Sequence, residues 1–282
     1  MNMVNECFEL GAVICRLAGR PEYCSPDFGA FNTDYHKEIT ETFTPFINHD
    51  AVKYVKQFHD IIQFDKILQF AVHIIKKDNK FIFIEDINSL FITDWTEKHA
   101  YEFLKLFNMF YIDSKYESFF NTHLKFFEES SKIFFDKYYG NIDLEWFRKY
   151  VNPVNLRCIY SLSSGNYAAT VNNKIIYCLV HIDGGAIIHE YCHSFANPIA
   201  EKMYNENKVF KKWCNESVNL ERMPFYSNGQ SIAYEYITKA YNILYEVHHG
   251  KSLNEELIKE KDTWFKNCFK YMEEIYNLIK DK

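Results

Sequence analysis

Residues 187–198 read IIHEYCHSFANP, placing two histidines four positions apart with a glutamate directly after the first. On a helix His189 and His193 lie one turn apart and offset by about 40°, so both imidazoles project from the same face. That spacing lets two nitrogens meet one zinc ion at roughly 2.0–2.1 Å. Glu190 falls at the flank of such a site, within reach of a water on the metal but not itself a ligand. Each role needs its residue type. Neutral imidazoles hold zinc while leaving a position open, and a carboxylate can take a proton from the attacking water. A helix must therefore run through this segment, and the rest of the fold must supply a further donor.

A chance HExxH is the competing explanation. With 11 histidines in 282 residues, one such match is expected in only a few per cent of chains, roughly. The context agrees with the metal reading. Arg157–Leu162 and Lys174–Val180 are β-rich runs, and Asn166–Val171 leads into Asn172-Asn173, two residues suited to a tight hairpin turn. Asp183-Gly184-Gly185 then offers a start for the helix. A strand, a hairpin and a strand are what a zincin places ahead of its metal-binding helix.

Composition limits the alternatives. The hydrophobic fraction is 48% and 18% of residues are aromatic, enough for a full core and incompatible with a disordered chain. Net charge is −6 with no basic run, so the electrostatic footprint of a nucleic-acid binder is missing. No window of about 20 residues is free of charge, which excludes membrane insertion as a helix. Glu6, Glu9 and Arg16 interrupt the apolar N-terminus, so it does not read as a signal peptide, although a leader removed beforehand would leave no trace. The eight cysteines are scattered without a CxxC pair, as expected of free thiols in a reducing compartment, and the expected location is the cytoplasm.

Periodicity predicts a predominantly helical α+β protein. Helices are expected before Gly19, over 34–46, from Asp50 onward, over 64–76 and through an aromatic-rich region at 97–139, whose inner face is Leu104, Phe107, Phe110 and Tyr111. Lys80–Glu85 alternates as a short strand. We draw a soft boundary near 150, giving a helical N-terminal region (1–150) and a region carrying the HExxH helix (151–282). Within the latter, Asn197 is expected to cap a new helix starting at Pro198, because proline cannot continue the hydrogen-bond ladder. Ser252-Leu-Asn-Glu255 is a capping box.

The third metal ligand decides the subclass. A metzincin would need a histidine where this chain has Ile199, whereas a gluzincin takes a glutamate from a later helix. Gln230–Val247 is such a helix, with Ala233, Ile237, Ala240, Leu244 and Val247 as its core stripe. Glu235 lies about 200° from that stripe, on a face with Thr238, Lys239, Asn242 and Glu246. Spacing alone leaves a solvated face equally open, and Glu216, Glu221, Glu246, His248 and His249 compete.

HEYCHSFANP resembles the HE-F-S-H-S-F-x-N-P signature of a family of bacterial zincin-like proteins, a domain-of-unknown-function family of metallopeptidase type. RLAGRPEY, FLKLFNMFY, SKYESFF and LSSGNYAA fall in the order expected of that family, so the resemblance spans most of the chain. It carries a downstream N-E-Y-I-V-R-A, which Tyr234-Glu235-Tyr236-Ile237-Thr238-Lys239-Ala240 matches apart from Tyr for Asn, Thr for Val and Lys for Arg. The resemblance therefore implies Glu235 as third ligand, a gluzincin-like fold and one zinc ion per chain. Gly165-Asn166-Tyr167-Ala168 is similar in place to the edge strand that receives a substrate backbone in gluzincins, and equally to an ordinary hairpin rim.

The expected function is a zinc-dependent peptidase acting on a peptide or protein, with Glu190 as general base. The alternative is a non-catalytic zinc-containing binding module. Tyr167, His181, Tyr226, Tyr234 and Tyr241 are candidates for stabilising an oxyanion. His36, His49, His59, His73, His99 and His123 show no ligand spacing. Nothing in the sequence sets the oligomeric state.

Overall fold

In the computed structural model, which describes residues 2–24, 33–59, 61, 62, 65–85, 87–91, 95–163, 165–172, 174–180, 186–221, 223, 226–262 and 268–280, the chain opens on a helix capped by Asn5. The Asn5 side chain accepts from the Phe8 amide at 2.8 Å, closing one of the donors that a helix start leaves open. This helix, α1 (Glu6–Leu17), ends as expected before Gly19, which takes the left-handed φ of 78°. Among the described residues the chain is a mostly helical α+β protein with two small sheets. The expected helix start at 183–185 lies outside the described residues.

By its contacts the chain divides into two units, Met1–Ile142 with Val154–Ile187, and Asp143–Pro153 with Ile188–Lys282. In the first unit nearly every residue of α1 is buried, which requires neighbours on all its sides. They include α2 (Pro21–Cys24), α3 (Asp34–Phe43), α4 (Asp50–Gln57) and α5 (Lys66–Val72). Gly11 permits the approach of α5, since a Cβ there would stand 2.6 Å from Ile67 Cγ2. The helix expected over 64–76 stops at Val72, and Ile74–Lys77 instead forms β1, antiparallel to β2 (Lys80–Phe83). Asp78 and Asn79 turn the hairpin with φ of 49° and 58°, a conformation that Asn and Asp tolerate.

After α6 (Asn88–Phe91), the long helical region is three helices, α7 (Glu97–Asp113), α8 (Tyr116–Thr122) and α9 (Leu124–Lys137). Lys115, at φ 53°, separates the first two. Phe103, Phe107, Phe110 and Tyr111 are the buried face of α7, while Leu104 is only half-buried. Phe70 meets Phe103 at 4.9 Å and Phe107 at 5.4 Å, both edge-to-face, so the aromatic stripe is core.

The three-stranded sheet has the order β3-β5-β4, with β3 (Leu156–Tyr160) parallel to β5 (Ile175–Val180) and β4 (Tyr167–Val171) antiparallel to it. Asn172 begins the expected turn at φ 55°. Residues 154–187 group with the N-terminal unit, whereas the boundary expected near 150 attaches them to the C-terminal one. The Tyr160 amide donates to Met3 O at 3.0 Å, and Ser163 donates to the Glu9 carboxylate at 2.7 Å. These long-range bonds are invisible to a local reading.

Among its described residues the second unit holds a 3-10 segment (Leu144–Lys149) and five helices: α10 (Ile187–Glu206, from Ile188 onward), α11 (Lys208–Glu216), α12 (Gly229–His248), α13 (Leu253–Asp262) and α14 (Met272–Ile279). Its core is aromatic. Tyr150 stacks on Phe195 of α10 at 4.4 Å and meets Tyr241 of α12 at 5.1 Å, and Phe195 meets Tyr241 at 5.0 Å. These rings lock α10 to α12. No helix among the described residues is long and apolar enough to cross a membrane.

Candidate metal centre

α10 runs unbroken through Pro198, contrary to the expected restart there. Proline removes one amide from the ladder at a cost of about 3 kcal/mol, and the buried Ala196 and Ala200 on either side hold the helix in place. Asn197 is consequently not a cap. Its Oδ1 lies 3.0 Å from His193 Nδ1, one turn back, and Thr238 Oγ1 of α12 lies 3.0 Å from the same nitrogen. An amide oxygen only accepts, so Nδ1 carries the proton and the His193 lone pair sits on Nε2.

That lone pair faces two other donors. His193 Nε2 is 3.1 Å from His189 Nε2, His189 Nε2 is 3.4 Å from Glu235 Oε2, and His193 Nε2 is 3.5 Å from Glu235 Oε1. Two ligands at about 2.1 Å from a tetrahedral ion stand roughly 3.4 Å apart, so these three side chains could hold one metal ion between them. The donor set, two imidazoles and a carboxylate, is of the type that holds zinc with a position left open. Sequence thus brings together His189 and His193 by helical spacing, and α12 delivers Glu235 as the third donor.

Electrostatics hold Glu235 ionised and His193 neutral, the forms that ligate, and act on His189 in the opposite sense. Burial opposes charge on Glu235, but His189 and His193, with Lys239 beyond them, outweigh it and hold the carboxyl well below the usual carboxylate range. Burial lowers the His193 imidazole. At His189 burial acts in the same direction but is outweighed by the carboxylates of Glu235 and Glu190, which raise it. Lys239 is buried and donates to Glu260 at 2.6 Å, with its ammonium 5.0 Å from the Phe269 ring centroid.

Glu190 is 7% exposed on the same helix, and its charge acts on His189. Cys192 is fully buried and its thiol is raised by burial. All eight cysteines are free. Three of the competing donors are engaged elsewhere: Glu216 with Lys212 and the Tyr271 hydroxyl, Glu246 with Lys251, and His249 with Asp143. Tyr234 accepts from Gln230 at 2.8 Å, and Tyr241 belongs to the aromatic core. His181 lies outside the described residues. Gly165, Asn166, Tyr167 and Ala168 belong to the first unit, where Tyr167 and Ala168 begin β4, a strand with β5 on one side of it in the sheet. His49, His73 and His123 do local structural work. His49 caps α4, His73 bridges Gln69 O and Ser89, and His123 pairs with Glu38.

Asn197 and Thr238 meet His193 without the sequence reading having foreseen it: that reading makes Asn197 a cap and leaves the Thr238 face equally open to a ligand role and to solvent. The polar face of α12 is in fact buried, at Glu235, Thr238, Lys239 and Asn242. A buried polar face opposite an apolar stripe is the signal that could have found it. No protein-family pattern, curated protein or solved structure matches this chain.

Proposed function

We propose that this chain is a zinc-dependent peptidase of gluzincin-like build, with His189, His193 and Glu235 holding the ion and Glu190 as general base. The observation that carries this reading is the convergence of three donors from two helices at 3.1–3.5 Å, with Glu190 directly following one of them. Zinc, when bound, supplies a Lewis acid that acidifies water towards about pKa 7 and polarises a carbonyl.

The chain's own residues do the rest. Asn197 and Thr238 fix the His193 tautomer, so that Nε2 is presented as a donor. Glu190 accepts the proton of the attacking water and returns it to the leaving amine, which requires a carboxylate that is not itself a ligand. The choice of a peptide bond as substrate rests on the family resemblance, and Glu190 supports hydrolysis over a purely structural site, which needs no base.

The test is cleavage of a mixed peptide library read by mass spectrometry. Wild-type protein should cut, a chelator should stop it and added zinc should restore it. His193→Ala and Glu235→Ala should be inactive and depleted of zinc at this centre. Zinc bound without cleavage of any peptide would instead indicate a binding module.

A further inference from the structure

At the opposite end of α12 from its N-terminal cap, a second set of donors converges. His249 Nδ1 lies 2.7 Å from Tyr245 O. A carbonyl only accepts, so this nitrogen carries the proton and a neutral His249 has its lone pair on Nε2. Nε2 faces Asp143 Oδ2 at 3.2 Å. Two acceptors facing each other at that distance repel unless a cation stands between them.

Asp143 is not free to turn away. Its Oδ1 caps the 3-10 segment, accepting from the amides of Glu145 at 3.0 Å and Trp146 at 3.2 Å. The Asp143 amide donates to the Tyr245 hydroxyl at 2.8 Å, and the His249 ring lies 4.2 Å from that of Tyr245. Tyr245 thus holds both partners. The His248 ring is 5.0 Å from that of His249, and one donor atom from each of Asp143, His248 and His249 lies within 4.8 Å of the others. His248 and His249 are exposed, so an ion reaches them without any opening of the fold.

The geometry points to a second metal site formed by Asp143, His248 and His249, taking a divalent cation of the class that imidazole favours, such as zinc or nickel. It uses none of the residues of the His189–His193–Glu235 centre. Its effect is structural, tying the C-terminal end of α12 to the start of the 3-10 segment within the same unit.

The test is zinc content after equilibrium dialysis against micromolar free zinc near pH 8. Wild-type protein should hold about two zinc ions per chain and His189→Ala/His193→Ala about one, with water completing each site. Asp143→Asn/His248→Gln should hold one fewer than wild type. Asparagine preserves the cap and position 248 is exposed, so this variant keeps its fold, which circular dichroism checks. Zinc should also raise the melting temperature of His189→Ala/His193→Ala, and this rise should vanish when the Asp143 and His248 substitutions are added. No zinc uptake by His189→Ala/His193→Ala in its folded form would show that a proton alone bridges Asp143 and His249 and would overturn the site. Equal zinc content in wild type and Asp143→Asn/His248→Gln would overturn it as well. Both readings are independent of whether the first centre cleaves peptides.

Discussion

His193 depends on two side chains that offer the metal nothing themselves. Asn197 and Thr238 both meet its Nδ1 at 3.0 Å, and together they decide which nitrogen donates. Removing such partners typically lowers metal affinity about 10–100-fold. Asn197→Leu and Thr238→Val should each weaken zinc binding by that order in a chelator competition while leaving the helical circular dichroism unchanged. Unaltered affinity in both would mean that the tautomer is set elsewhere. The two histidines and Glu190 are legible in the sequence because helical periodicity fixes their relation within five residues. Glu235 is less so. It lies 42 positions beyond His193, and only the packing of one helix on another brings it in. Asn197 is misread for a simple reason: proline after asparagine is a common helix start, and the side chain's true partner lies one turn back.

Element packing shows the same division between local and distant information. The left-handed residues at Gly19 and Asn172 follow from residue type, and the sequence predicts the helix end and the turn they make. The hairpin at 74–83 is local in its pairing, whereas the grouping of residues 154–187 with the first unit depends on partners far along the chain. Gly11 marks one such contact. Ile67 is buried and has no room to yield, so Gly11→Ala should destabilise the chain by about 1–3 kcal/mol through overpacking against α5, as read from urea unfolding. A neutral result would mean that α1 and α5 can slide apart at no cost. On α12 the Lys239–Glu260 pair is buried on both sides. Lys239→Met removes the ammonium that Glu260 meets at 2.6 Å and should cost on the order of 3 kcal/mol. Adding Glu260→Gln should recover most of that loss, and failure to recover would locate the effect in lost packing on Phe269 instead.

For the whole molecule, stability should respond to pH through Glu9. Its carboxylate is completely buried in the first unit, accepts from the Leu162 amide and Ser163, and is pushed up to about 7 by burial, which those bonds only partly offset. A carboxyl raised on folding binds its proton more tightly in the native state, so stability is lost as pH rises from the unfolded value of about 4.3 through the folded one. The loss should level off above pH 7 at roughly 4 kcal/mol. Glu9→Gln should flatten the melting temperature between pH 5 and 8, roughly the interval over which the loss accrues. An unchanged slope would assign it to another group. Thiol titration of denatured protein without reductant should count all eight cysteines, which are free in the structure; protected pairs would indicate an oxidised, exported form. The claim on which the functional account rests is that Glu190 acts on water and not on the ion, and its most direct measurement is peptide-library cleavage by zinc-loaded wild type and Glu190→Gln side by side. The account predicts equal zinc content and equal melting temperature, with cleavage lower in Glu190→Gln by a factor on the order of 10² to 10⁴. Undiminished cleavage by zinc-loaded Glu190→Gln, purified free of other proteases, would contradict it.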